Sequence, residues 1–215
     1  MVGIDARLTA VTRQRYERIA PFYDRIEVLS ERGYQSWRAL LWNQMRGTRI
    51  LEVGVGTGKN MAYYPEGAHV TAIDLTPGML ERARTRAATL NLDLDLRLGD
   101  VQALDFPDAS FDSAVATFVF CSVPDPILGL RELRRVVKPG GQVLLLEHMR
   151  SENRSIAALM DLLNPLAVRI MGANINRRTV DNVRKSGLII EKVEDMGMGG
   201  IFKLIQARVA DHTKL

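Results

Sequence analysis

Residues 51–58 read Leu51-Glu52-Val53-Gly54-Val55-Gly56-Thr57-Gly58. A β-rich run, Arg49–Val53, leads into three glycines, and a helical pattern follows them. Glycines let the backbone approach a ligand with no Cβ in the way, and a helix start beyond them presents free N–H groups. The spacing is G-x-G-x-G, whereas a dinucleotide fingerprint requires G-x-G-x-x-G. Glu52 stands in the entry strand, badly placed for a pyrophosphate and tolerable beside a cationic ligand.

Downstream positions strengthen this reading. A second β-rich run, Val70–Asp74, ends on a carboxylate about twenty residues after the turn, where it can take both hydroxyls of a ribose. Leu92–Leu98 is the third strand, and Gly99-Asp100-Val101 behind it offers a carboxylate and an apolar contact for an adenine. Each feature alone is compatible with a surface loop. Together, in order and at strand ends, they describe a nucleoside site.

Strands and helices alternate from Thr48 onward, the pattern of a parallel sheet built from βαβ units. Thr76 is placed to cap a helix with Pro77 at its first position, and Met79, Leu80, Ala83, Ala87 and Leu90 form one apolar stripe. Ser113–Phe120 is the fourth strand. Asp125-Pro126 repeats the cap-plus-proline start, with Ile127, Leu130, Leu133 and Val137 facing inward, and Lys138-Pro139-Gly140-Gly141 stops that helix. Gln142–Glu147 is the fifth strand. Asp181–Ser186 closes a last helix, ended by Gly187, before strands Leu188–Val193 and Phe202–Arg208. A hairpin around Gly197–Gly200 makes this final pair antiparallel. The expectation is an α/β fold: seven strands, mostly parallel, with helices on both faces.

Two segments fall outside that scheme. Val11–Trp42 reads as one or two helices broken near Pro21, and Ser155–Met171 as an apolar helix interrupted at Asn164-Pro165. Both are placed to cover strand ends where ligands bind in open α/β sheets. The division expected is a helical lid over 1–46 and a ligand-binding domain over 47–215, with a helical insertion at about 151–178.

The chain has 215 residues, 47% hydrophobic and 25% charged, which suits one domain with a well-developed core. Its one cysteine, Cys121, excludes an internal disulfide framework and leaves no thiolate cluster for zinc, so no metal is expected. Charged residues arrive early, at Asp5 and Arg7, and no uncharged apolar run has the length of a spanning helix. These features point to a cytoplasmic protein. Net charge is +4, and residues 1–46 carry eight arginines against five acidic residues. That bias suits either a solvated helix face or peripheral contact with an anionic membrane.

Leu51 to Gly58, Asp74, Gly99-Asp100, Ser110-Phe111-Asp112 and Lys138-Pro139-Gly140-Gly141 together resemble the motifs of class I S-adenosylmethionine (SAM) methyltransferases, a Rossmann-like family. The resemblance implies SAM as cofactor and S-adenosylhomocysteine as product. It places Gly54, Gly56 and Gly58 beneath the methionine part, with Glu52 and Asn60 behind them. Asp74, Leu75 and Met79 then lie at the ribose, and Asp100 and Val101 at the adenine. Thr117 and Phe118 line the transfer site.

Tyr16, Tyr23-Asp24 and the stretch Asp105 to Asp112 are similar to bacterial phospholipid N-methyltransferases and quinone-pathway C-methyltransferases. Asn60, Tyr64-Pro65, Phe120 to Val123 and Glu147-His148-Met149 look like thiol methyltransferase-like proteins, but the hydrophobic N-terminal anchor of those proteins is not expected here. The acceptor implied is small or amphipathic. Phosphatidylethanolamine-type amines come first, with small thiols and quinone precursors as alternatives, and a SAM-binding protein without catalysis as the non-enzyme reading.

Methyl transfer from a sulfonium needs the acceptor's lone pair held in line. His148, at the end of the fifth strand, is the candidate base, against a plain packing role. Tyr16 and Tyr23 suit an aromatic wall for a cationic group, or helix packing. Cys121 reads as a small core residue. Arg177-Arg178 suits a phosphate headgroup or a solvated helix start. His69 lies at the wrong strand end and His212 in the tail. Nucleic acid is not the expected partner, because Ser122-Val123-Pro124-Asp125 stands where an Asn/Asp-Pro-Pro-aromatic tetrapeptide would.

Overall fold

The computed structural model describes residues 3–197 and 199–211, so His212 lies outside them. Three helices come first: α1 (Ala6–Ile19), α2 (Tyr23–Ile26) and α3 (Val28–Trp42), with a tight 3₁₀ turn at Ala20–Phe22. The core then runs β1 (Arg49–Val53), β2 (His69–Asp74), α4 (Pro77–Thr89), β3 (Asp95–Leu98), β4 (Phe111–Thr117), α5 (Pro126–Val136) and β5 (Val137–His148). After it come α6 (Arg154–Met171), α7 (Thr179–Ser186), β6 (Ile189–Asp195) and β7 (Phe202–Arg208).

The seven strands form one sheet in the order β3-β2-β1-β4-β5-β7-β6. β3, β2, β1, β4 and β5 are parallel, and β7 runs antiparallel to both β5 and β6. Strand order reverses between β1 and β4, which opens a crevice at their carboxyl ends. Along β5, Leu144, Leu145 and Leu146 are all fully buried, so both sheet faces are covered. Alternation sorts them. Leu145 joins Leu51, Leu133 and Val183 beneath α5 and α7, while Leu144 and Leu146 join Ile50, Trp42, Leu80 and Ala83 beneath α3 and α4.

Several local expectations shift. Helix α1 begins at Ala6, five residues earlier than the apolar pattern implied, because the Asp5 carboxylate accepts from the amides of Arg7 and Leu8. Thr76 stands at the N-cap of α4 without a side-chain cap bond. Glu17 of α1 reaches that helix start instead and accepts from the Gly78 amide at 3.2 Å. The third strand is shorter than Leu92–Leu98, since Asn91 turns with φ 54° and Leu92 and Leu94 pack on the core before pairing begins. The fourth ends at Thr117 and not Phe120, because Phe118 adopts φ 58° and turns the chain away. Helix α6 continues through Pro165. Proline costs that helix one hydrogen bond, but Asn164 beside it is engaged outward, its side chain accepting from the Ile175 amide at 2.9 Å. Asp125 caps α5 as expected, and Gly187 ends α7 at φ 85°. No helix of the described residues is long and apolar enough to cross a membrane.

Candidate functional site

Four strand ends and two N-terminal helices enclose one cleft at the crevice. Gly54 and Gly56 line it after β1, and both have positive φ, 67° and 57°. A Cβ on Gly54 would stand 2.5 Å from the Val119 side chain, whereas one on Gly56 would meet nothing within 4 Å. The second glycine therefore leaves room over the backbone, the cradle a ligand of this kind needs.

From the end of β2 comes Asp74, from the link after it Leu75 and Thr76, and from the first turn of α4 Met79. Asp74 is 9% exposed and its two oxygens accept from the amides of Gly56 and Thr76, each at 2.9 Å. Burial raises its pKa, and those amide bonds work against the rise. The carboxylate thus fixes the glycine turn and still borders the cleft. Gly99, Asp100 and Val101 line it after β3, and Thr117, Phe118, Val119, Ser122 and Val123 after β4. Carboxylates beside apolar walls of Ile73, Met79 and Val101 fit a nucleoside.

Thr12, Tyr16 and Tyr23 close the cleft from above. Tyr16 shares a hydrogen bond of 2.5 Å with Ser122, and burial pushes both phenols well above their usual range. Neither is a base at neutral pH. Lys59 stands 5.3 Å over the Tyr23 ring, so one face of that ring already serves a cation of the protein itself.

Polar contacts join these helices to the core. Asp24 accepts from Thr57 at 2.6 Å and from Arg86 at 2.8 Å, and Lys59 pairs with Glu27 at 2.5 Å. Arg38, 6% exposed, donates to Asn60 at 2.9 Å, and Asn60 donates to Glu52 and Thr117 at 2.6 and 3.1 Å. Glu52 also accepts from Tyr64. Burial raises the Glu52 carboxyl to about 7, opposed by the Tyr64 and Asn60 bonds.

The named positions separate into two groups. Tyr16, Tyr23, Gly54, Gly56, Asp74, Leu75, Met79, Asp100, Val101, Thr117 and Phe118 all border the cleft. Glu52, Gly58 and Asn60 stand behind the glycine turn and support it, with Gly58 against Met61. His148 is off the cleft as well. Its Nε2 donates to the Asn174 carbonyl at 3.3 Å, its ring packs 6.4 Å from Phe202, and burial lowers its pKa. Cys121 is buried and its thiol is pushed up to about 12, so no thiolate forms there at neutral pH. Among the described residues no group of His, Cys, Asp and Glu could hold a metal ion.

One supporting role escaped the sequence reading, which named Glu147 only as the end of the fifth strand and within Glu147-His148-Met149. Glu147 is fully buried, and its Oε1 accepts from the amides of Val119 and Phe120 at 2.8 and 3.0 Å. It thereby holds the turn that aims Phe118 and Val119 at the cleft. A charged side chain closing the apolar run Val143–Leu146 was the available signal.

Residues 51–145 match a family model described as a methyltransferase domain. Over 116 residues the chain is 40% identical to a phosphatidylethanolamine N-methyltransferase of Cereibacter sphaeroides, spanning 53% of this chain and 57% of that protein. Over 142 residues it is 38% identical to a demethylmenaquinone methyltransferase of Listeria monocytogenes serotype 4a (strain HCC23), spanning 61% of this chain and 60% of that one. The chain thus covers less than two thirds of either relative's length. A SAM-dependent methyltransferase of Thermotoga maritima shares the fold, with a TM-score of 0.69 at 21% identity over 91% of this chain and 98% of that one. From the glycine turn, the strand order and the matched residues together, residues 51–145 are similar to a methyltransferase domain, on a fold that SAM-dependent methyltransferases share.

Proposed function

We propose that this protein transfers a methyl group from SAM to the amine of an amphipathic, phospholipid-type acceptor. The observation that carries the amphipathic part is helix α6. Leu159, Leu162, Leu163 and Leu166 stand exposed on it, Leu162 at 75%. The helix leads directly into Gly172, which abuts Arg15 and Tyr16, and Asn174, which bonds the Cys121 carbonyl. An apolar face therefore adjoins the walls of the cleft, where acyl chains would lie while a headgroup enters. Phe22, Ile26 and Leu29, each more than half exposed, add a second apolar surface around the turn between α1 and α3. The similarity to a phosphatidylethanolamine N-methyltransferase supports the amine.

Bound SAM supplies an electrophilic methyl on a sulfonium. Residues of this chain would hold it: the Gly54–Gly56 backbone beneath the amino-acid part, Asp74 on the ribose hydroxyls, and Asp100 with Val101 at the adenine. The helices over 1–46 act as a lid on the domain formed by 47–215, with Tyr16 and Tyr23 excluding water and confining the nucleophile to one approach. An in-line displacement gains most of its rate from such positioning. A neutral amine needs no base in the cleft. Its proton leaves to water before entry, which agrees with His148 being committed to Asn174.

The longer alignment to a demethylmenaquinone methyltransferase favours a second reading, C-methylation of a lipophilic quinol precursor. Radiolabelled SAM offered with phosphatidylethanolamine vesicles, a small thiol and a quinol precursor separates the cases. Labelled lipid supports the amine reading. Label only in quinol or thiol overturns it, and SAM binding with no transfer makes the chain a binder.

A further inference from the structure

Behind the wall of the cleft lies a second pocket with a different chemistry. It is bounded by the segment after β5 and the start of α7, which the Arg150 amide ties together by donating to the Arg177 carbonyl at 2.9 Å. Five cationic side chains line it, Arg150, Arg177, Arg178, Arg184 and Lys203, against the carboxylates of Glu152 and Asp181.

Three features suit an oxyanion. First, α7 starts here at Thr179 with no side-chain cap, since Arg178 at the N-cap position makes no such bond. Its opening amides and helix dipole thus present positive potential. Second, two buried polar groups in the pocket lining lack any partner: Thr179 Oγ1, on a residue with no exposed surface, and Arg177 Nε. Unpartnered buried donors are costly, and a small shift at the start of α7 that opened them to a bound oxygen-rich ligand would relieve that cost. Third, the neighbouring pairs leave an excess of cation. Arg150 pairs with Asp161, Arg184 with Asp181, and Lys203 with Glu152, while among the described residues Arg178 has no hydrogen-bonded carboxylate and meets Asp161 only through space. Burial also lowers the Arg177 pKa, which a neighbouring anion would offset.

We infer that this pocket binds a phosphate group, as a monoester, diester or free anion, independently of which acceptor takes the methyl group. Arginine forks and helix amides match phosphate oxygens in geometry as well as charge. The site communicates with the cleft through Arg177, whose Nη2 donates to the carbonyl of Val123 at 2.9 Å.

Two soluble probes test this on the full chain at constant ionic strength: inorganic phosphate, and dihexanoyl phosphatidylglycerol below its micelle concentration. Calorimetry and thermal shift are read for the parent, Arg178→Glu and Arg184→Glu; both positions are exposed, so the fold should survive. Saturable binding of either probe, weakened about tenfold or more in both variants with SAM affinity unchanged, supports the site. Binding of phosphate alone assigns it to free phosphate or a monoester; binding of the lipid assigns it to a lipid headgroup. No saturation by either probe up to tens of millimolar, or equal binding by parent and variants, overturns it.

Discussion

The Tyr16 hydroxyl lies 2.5 Å from Ser122 Oγ, a hydrogen bond between residues 106 positions apart that joins α1 to the loop after β4 across the cleft. A single bond of this kind contributes roughly 0.5–1.5 kcal/mol. Tyr16→Phe is therefore expected to lower the melting temperature by about 1–6 °C and kcat/KM by up to about tenfold. Deleting residues 1–24 should abolish turnover with the sheet still folded by circular dichroism. Unaltered kinetics in both would reduce the helix to packing.

Asp74 holds the glycine turn through two backbone amides and borders the cleft, where the proposed function puts the ribose. Asp74→Asn keeps the size of the side chain and removes its charge; Asp74→Ala removes both. SAM affinity by calorimetry should fall by about 1.5–3 kcal/mol in the alanine variant and less in the asparagine one. An alanine variant that is folded and binds SAM normally would take Asp74 out of the site. Tighter binding of NAD than of SAM by the parent chain would contradict the whole cofactor assignment.

Two buried carboxyls predict how stability varies with pH. Burial raises Glu52 and Glu147 from 4.5 to about 7. Within that window the folded chain keeps protons that the unfolded chain has already released. Each contribution is thus present below the unfolded pKa and lost as pH rises through the folded one, with a slope of at most about 1.4 kcal/mol per pH unit per group. Glu147→Gln stays neutral and keeps an oxygen for the Val119 and Phe120 amides. Its urea midpoint should decline less steeply than the parent's between about pH 5 and pH 8. Identical slopes would place the buried ionisation elsewhere.

Membrane contact makes two separable predictions. Vesicles containing phosphatidylglycerol should co-sediment the chain at low salt, and replacing Arg7, Arg13, Arg15 and Arg18 by glutamate should release it, at roughly 1 kcal/mol per charge. Leu162→Glu should weaken retention at high salt, where apolar contact remains, with no loss of thermal stability at so exposed a position. Methylation of an embedded amine lipid should fall in parallel, while a soluble acceptor is little affected. No sedimentation at low salt, with rapid methylation of a small thiol, would exclude the lipid reading.

Local chemistry settled much of this protein before any packing was known. Glycine spacing, the acid at the end of β2 and the cap-plus-proline starts act over a few residues. They identified the sheet-building units, the α5 cap at Asp125 and, at the cleft, Gly54, Gly56, Asp74, Gly99, Asp100 and Val101, while the family resemblance supplied Leu75, Met79, Thr117 and Phe118. Strand ends were harder to read. Thr117 and Phe118 are both compatible with an extended chain, and the distant Glu147, accepting from the amides of Val119 and Phe120, helps hold the turn of the backbone there. The cap of α4 likewise comes from Glu17, 61 residues away from Gly78, and not from Thr76. His148 looked available because its strand ends on the ligand side, but pairing with Asn174 takes its Nε2 and leaves it off the cleft. Sequence determined which segments could build a nucleoside cleft, because propensity and turn chemistry are local. Tertiary structure decided which side chains face that cleft and which brace it, because hydrogen bonds between remote segments form only once the sheet has brought them together.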